Sequence, residues 1–133
     1  MRPKSKVREK WQLKKRVLHK KVKAKHYFKN SVSASETEFL NRVEKMFDVT
    51  INRQFPLEYW FYDGQYGMHL FEIDGTKFHS RPKSKKRDAV KDEVAKRYGF
   101  QLHRIKLDRV RDVTLAIMEN TNTLNKIFNE DAS

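Results

Sequence analysis

Leu70-Phe71-Glu72-Ile73-Asp74-Gly75 restricts this chain's fold more than any other stretch. Its apolar residues favour a strand, and the two-residue period of a strand puts Glu72 and Asp74 on one face and Ile73 on the other. Two neighbouring carboxylates on a central strand lose their hydration at a cost of several kcal/mol each unless a positive group meets them. The fold must therefore bring a base or a cation to this face.

Asp63 lies nine residues before Glu72. A hairpin turning at Gly67 sets Asp63 nearly opposite Glu72 on the neighbouring strand, where one hard divalent ion could sit between them. Mg²⁺, with Mn²⁺ as its substitute, takes carboxylate oxygens, keeps waters and supports phosphodiester hydrolysis. Asp63-Gly64 is also a favoured two-residue hairpin turn, which would place Asp63 at a tip away from Glu72.

Around this pair, Phe39, Leu40, Val43, Met46 and Phe47 recur at helical steps after Ser33, a candidate N-cap. Residues 48–55, 57–62 and 68–74 are rich in β-branched and aromatic residues and predict a three-stranded meander. Residues 75–84 have no period. Ala89, Val90, Val94 and Tyr98 then predict a helix ended by Gly99, residues 100–105 a fourth strand, and Val110, Val113 and Ile117 a last helix extended by Leu124, Ile127 and Phe128. The expected fold is α/β, a mixed sheet of about four strands flanked by helices. A helix between the third and fourth strands makes that pair parallel if they are neighbours.

The charge is lopsided. The 133 residues carry 30 Lys and Arg against 17 Asp and Glu; residues 1–29 hold 13 of those bases and one acid, Glu9, for +12, and the remainder sums to +1. Residues 1–30 thus read as a basic arm and 31–133 as the folded domain. A stretch charged this densely needs a polyanion to neutralise it, and Lys14, Lys15, Arg16, Lys20, Lys21 and Lys23 are candidate phosphate contacts. A localisation signal, a mitochondrial presequence or a solubilising tail are the plainer readings. Lysine richness and the interleaved Trp11, Leu13, Val17, Leu18, Val22, Tyr27 and Phe28 favour an arm that orders along phosphates. The absence of cysteine excludes a thiol nucleophile, disulfides and a cysteine-ligated zinc. No apolar run suffices for a membrane span or a signal-peptide core, so a soluble, intracellular protein with no small-molecule cofactor is expected.

Ser33 to Glu36, Arg53-Gln54, Asp63, Glu72-Ile73-Asp74-Gly75, His79, Asp88, Asp92 and the run from Tyr98 to Ile105 resemble the very-short-patch-repair endonuclease-like branch of the PD-(D/E)XK nucleases, over residues 33 to about 110. The resemblance is nearest to the phage homing type, with its glutamate, aspartate, histidine, aspartate pattern. It implies a restriction-endonuclease-like fold and a Mg²⁺-dependent endodeoxyribonuclease. Residue by residue, Glu36 resembles the first-helix glutamate, Asp63 the metal-binding strand aspartate, Glu72 the acid of the (D/E)XK element, and Asp74 stands in its lysine slot. His79 resembles the histidine that moves a proton or positions water, and Asp88, or Asp92, the acid orienting it. Metal ligation falls to Asp63, Glu72 and the Ile73 carbonyl. The repair enzymes' cysteine-built zinc and their histidine in the Asp74 slot are missing, which leaves the homing type closer, with Lys77 as a candidate replacement charge.

Each of these residues has a plainer role. Glu36 follows Ser33 at capping-box spacing, and capping and catalysis are compatible. His79 is otherwise a solvated loop residue, and Asp88 and Asp92 partners in a surface ion-pair lattice with Lys85 and Lys91 to Lys96 of their own helix. His69 and His103 suit hydrogen-bonded core positions. Tyr59-Trp60-Phe61-Tyr62 suits the core, with an exposed member free to stack on a base, and Phe78 is a candidate wedge into a duplex. The expected activity is nicking or cleavage of double-stranded DNA by a monomer or homodimer in the cytoplasm of a bacterial or phage-infected cell. Lys77, Arg81, Lys83, Lys85, Lys86 and Arg87 would grip the phosphates beside the cut. The alternatives are a non-catalytic nucleic-acid-binding protein with a nuclease-like core and a junction-resolving nuclease.

Overall fold

In the computed structural model, residues 32–75 and 82–130 are described. The basic arm, Lys77, Phe78, His79 and Arg81 lie outside them. The first helix, α1 (Ala34–Phe47), starts where Ser33 Oγ accepts the Glu36 N–H at 3.1 Å, and ends at Asp48, whose left-handed φ of 53° lets its N–H reach Glu44 O. Phe39, Leu40 and Val43 form its buried stripe. Each such side chain contributes about 1.5–3 kcal/mol by leaving water.

Three strands follow, β1 (Asn52–Leu57), β2 (Trp60–Tyr66) and β3 (His69–Asp74), then helix α2 (Pro82–Arg97) and strand β4 (Gln101–Lys106). They form one mixed sheet in the order β1-β2-β3-β4, antiparallel except for the parallel β3–β4 pair that α2 connects. This is the expected α/β architecture. The second strand continues past Tyr62 through Asp63 and Gly64, and the chain turns at Gly67, whose φ is +56°. Pro82 opens α2, a position that needs no N–H donor. Gly99 closes it with φ +84°.

The last segment is broken into a 3₁₀ turn (Val110–Asp112), α3 (Val113–Glu119), α4 (Thr121–Asn125) and a π-type turn (Lys126–Glu130), where a single helix was expected. Asn120 Nδ2 donates to Ala116 O at 2.7 Å and Thr121 Oγ1 to Ile117 O at 3.0 Å, side-chain bonds that compete with the helical backbone ladder. The break lets the chain fold over one sheet face, where Phe128 stacks on Phe47 and Phe71.

The sheet separates two cores. On one face α1 and the C-terminal turns pack Phe39, Leu40, Val43, Val113, Ile117 and Phe128 against Ile51, Phe71 and Ile105. On the other, Val94 and Ala95 of α2 cover Phe55, Leu57, Tyr62 and Leu70. No helix among the described residues is long and apolar enough to cross a membrane.

Candidate functional site

Pairing between β2 and β3 stops at Gly64–Phe71, although β3 stays paired to β4 as far as Asp74–Lys106 and β2 to β1 as far as Trp60–Leu57. A notch therefore opens between the two central strands, and continuing their register by one residue sets Asp63 opposite Glu72. Asp63 Oδ2 accepts the Ile73 N–H at 2.7 Å across this notch. Asp74 O accepts from Leu107 N on the β4 side. Because backbone groups alternate along a strand, the Ile73 carbonyl points to the notch, as its N–H does.

The side chains are set by a change of face. Residues two apart in a strand normally share a face. Here Phe55 and Tyr62 belong to the α2-side core. Arg53, by contrast, donates to Asn41 and Glu44 of α1, and a Cβ on Gly64 would meet Ile51 and Leu40 on that same side. Both strands thus switch face at Gln54 and Asp63, which the register sets opposite each other. Gln54 makes the switch with φ 49°, the one left-handed non-glycine residue in a strand among those described. That conformation costs on the order of 1 kcal/mol or more and gathers at functional sites.

Glu36 enters from α1 and accepts from Gln54 Nε2 at 3.3 Å. Burial, then the neighbouring Asp63 charge, raises its carboxyl from 4.5 to about 7, and a hydrogen-bond contact with Asp63 adds to the rise. Glu72 is pushed upward as well, first by burial and then by Asp63, against the pull of Lys91. Glu36, Asp63 and Glu72 are each no more than 5% exposed. Three carboxylates thus converge from a helix and two strands.

Lys91 of α2, itself 5% exposed, forms an ion pair with Glu72, donates to Phe61 O at 2.7 Å and stands 4.8 Å from the Tyr62 ring centroid. The Tyr62 hydroxyl donates to Lys91 O at 2.8 Å and ties the helix to β2. Lys91 is thus a core residue, where its place in a basic helix predicts a surface lysine. Its signal was spacing: Lys91, Val94, Ala95 and Tyr98 fall on one helical stripe, of which the middle pair are core residues.

Glu72 and Asp74 share a face, but they meet different bases. Arg104 Nη1 lies 3.1 Å from Asp74 Oδ2 and 3.5 Å from Asp88 Oδ1, while its Nη2 lies 2.9 Å from Asp92 Oδ1. Asp88 and Asp92 thus join helix to sheet through Arg104, where a lattice with their own helix's lysines was expected. The register pairs Glu72 with Arg104, which sets the guanidinium on the face that Glu72 and Asp74 share. Lys83, Lys85, Lys86 and Arg87 fall in the first turns of α2, and the last three are exposed. His69 Nδ1 and His103 Nε2 hydrogen-bond each other at 3.0 Å, half-buried. Of the aromatic run, Phe61 and Tyr62 are buried and Tyr59 is exposed.

No three His, Cys, Asp or Glu side chains among the described residues are laid out to hold an ion by themselves. Two carboxylates and a carbonyl beside a strand notch suit a hard cation that keeps most of its water. The chain matches no protein-family model, no curated protein and no solved structure, so the residues themselves carry the functional argument.

Proposed function

We propose that this chain is a Mg²⁺-dependent endonuclease of double-stranded DNA, built on a restriction-endonuclease-like sheet and working as a monomer or homodimer in the cytoplasm. The observation that carries the reading is the convergence of Glu36, Asp63 and Glu72 at the notch, three buried carboxylates with one buried ammonium, Lys91, against them. Such a cluster is uncomfortable in a fold that has no use for it.

Asp63, Glu72 and the Ile73 carbonyl would hold the divalent ion, Mg²⁺ or Mn²⁺, which when bound neutralises phosphate charge and acidifies water. Lys91, next to Glu72, would add a positive charge beside the ion these residues hold. Glu36 can hold or release a proton near neutral pH, as a group raised to about 7 does. His79 with Asp88 remains the proposed proton shuttle, and Lys85, Lys86 and Arg87 on α2, with Lys77, Arg81 and Lys83, the proposed phosphate grip.

Asp63→Asn should abolish nicking of supercoiled plasmid in Mg²⁺ and leave retention of DNA on a filter unchanged. A wild-type protein that nicks in neither Mg²⁺ nor Mn²⁺ while retaining DNA would overturn the enzyme and leave a nucleic-acid-binding protein.

A further inference from the structure

The acids do not account for Gln54. It sits in the interior of β1 with φ 49°, faces Asp63 across the β1–β2 register, and spends its amide donor on Glu36 Oε2 at 3.3 Å. Its remaining polar atom, Oε1, is buried and has no hydrogen-bond partner among the described residues. A buried amide oxygen is rarely left unpaired, because it has given up its water without replacement. A left-handed glutamine inside a strand is also easily replaced by glycine or by regular pairing, so two costs fall on one residue at one place.

The other side chain at this crossing is Asp63, and Glu36, which Gln54 holds, lies against that same carboxylate. We propose that Gln54 is a positioning residue of the cation site: through Nε2 it fixes Glu36, and through Oε1 it offers a neutral oxygen to the hydration shell of the ion held by Asp63 and Glu72. This rests on the cation reading above and extends it to a residue that is neither acidic nor basic. An amide suits the place. It accepts a hydrogen from a water without adding a fourth negative charge, and its other end restrains Glu36 from approaching Asp63. The backbone switch at Gln54 lets Arg53 and Gln54 both turn toward α1, where regular alternation would put these neighbours on opposite faces.

The test is binding of Mn²⁺ alone to the full chain, followed by paramagnetic resonance or calorimetry without DNA. Gln54→Met keeps the length of the side chain and loses both polar atoms; it should weaken Mn²⁺ binding by about 10- to 100-fold, as loss of an outer-shell partner does. Gln54→Gly relieves the backbone and should bind as weakly as the methionine variant; tight binding by the glycine variant would assign the effect to strain and overturn the proposal. Wild-type affinity in Gln54→Met would overturn it as well. If wild type itself fails to bind Mn²⁺ while Asp63→Asn behaves identically, the cation site falls and this inference with it, whereas binding by wild type with unchanged Gln54 variants removes this inference alone.

Discussion

Glu36 shows how much one residue's surroundings matter. In an unfolded chain its carboxyl titrates near 4.5, and in the fold burial and Asp63 move it to about 7. The folded protein therefore binds more protons than the unfolded one between these values, and stability falls as pH rises through that window. Glu36→Gln removes the charge and leaves an acceptor for Gln54 Nε2. Metal-free wild type and variant should melt alike at pH 5, and the variant should be more stable at pH 8, by on the order of 2 to 3 kcal/mol. Equal differences in melting temperature at both pH values would show that Glu36 is solvated or paired in a way the site geometry does not convey. A divalent ion should narrow the gap at pH 8, since it compensates the charge that glutamine removes.

At the scale of elements, α2 is attached to the sheet by two bases that arrive from opposite directions: Lys91 reaches from the helix to Glu72, and Arg104 reaches from β4 to Asp88 and Asp92 on the helix and to Asp74 on β3. Arg104→Leu withdraws a guanidinium shared by three carboxylates and leaves their charges to repel. The network is partly solvated, so the expected loss is about 1–2 kcal/mol, below that of a fully buried pair. Chemical denaturation should register it, with faster hydrogen exchange in α2 than in α1; unchanged exchange in α2 would mean that Val94 and Ala95 alone seat the helix. Arg104→Lys should restore the fold only in part, because a single ammonium cannot reproduce the fork. The same elements mark what was legible beforehand. Helix α1 could be read from Phe39, Leu40 and Val43, the meander from its β-branched and aromatic runs, and the parallel β3–β4 pair from the helix between them. The face switch at Gln54 and Asp63 could not, since nothing in a glutamine's identity announces a positive φ; only the packing of α1 against one half of the strand and α2 against the other imposes it. Lys91 was hidden for a related reason: a lysine in a basic helix reads as solvated until a buried carboxylate across the sheet is known to face it.

For the whole molecule the decisive quantity is where the charge lies. Residues 1–29 carry +12 and the other 104 carry +1, so the folded domain by itself is nearly neutral, with its three buried acids at one notch and exposed bases at the start of α2. A nearly neutral body offers phosphate little attraction over the distances at which encounter begins, and the Debye length of about 8 Å at physiological salt confines any help from Lys85, Lys86 and Arg87 to close range. If DNA is the partner, capture falls to the arm and alignment at the cut to α2. These parts separate experimentally by salt. When the arm supplies about six to ten phosphate contacts, affinity of the full chain should fall by roughly 10³ to 10⁵ between 50 and 200 mM salt. A chain lacking residues 1–29 should bind more weakly at 50 mM and show a much shallower slope, while its nicking rate at saturating DNA stays near that of the full chain. Equal slopes would place the arm off the DNA and move the phosphate contacts to the folded domain. A truncated chain that binds normally but no longer nicks would instead make the arm part of the site.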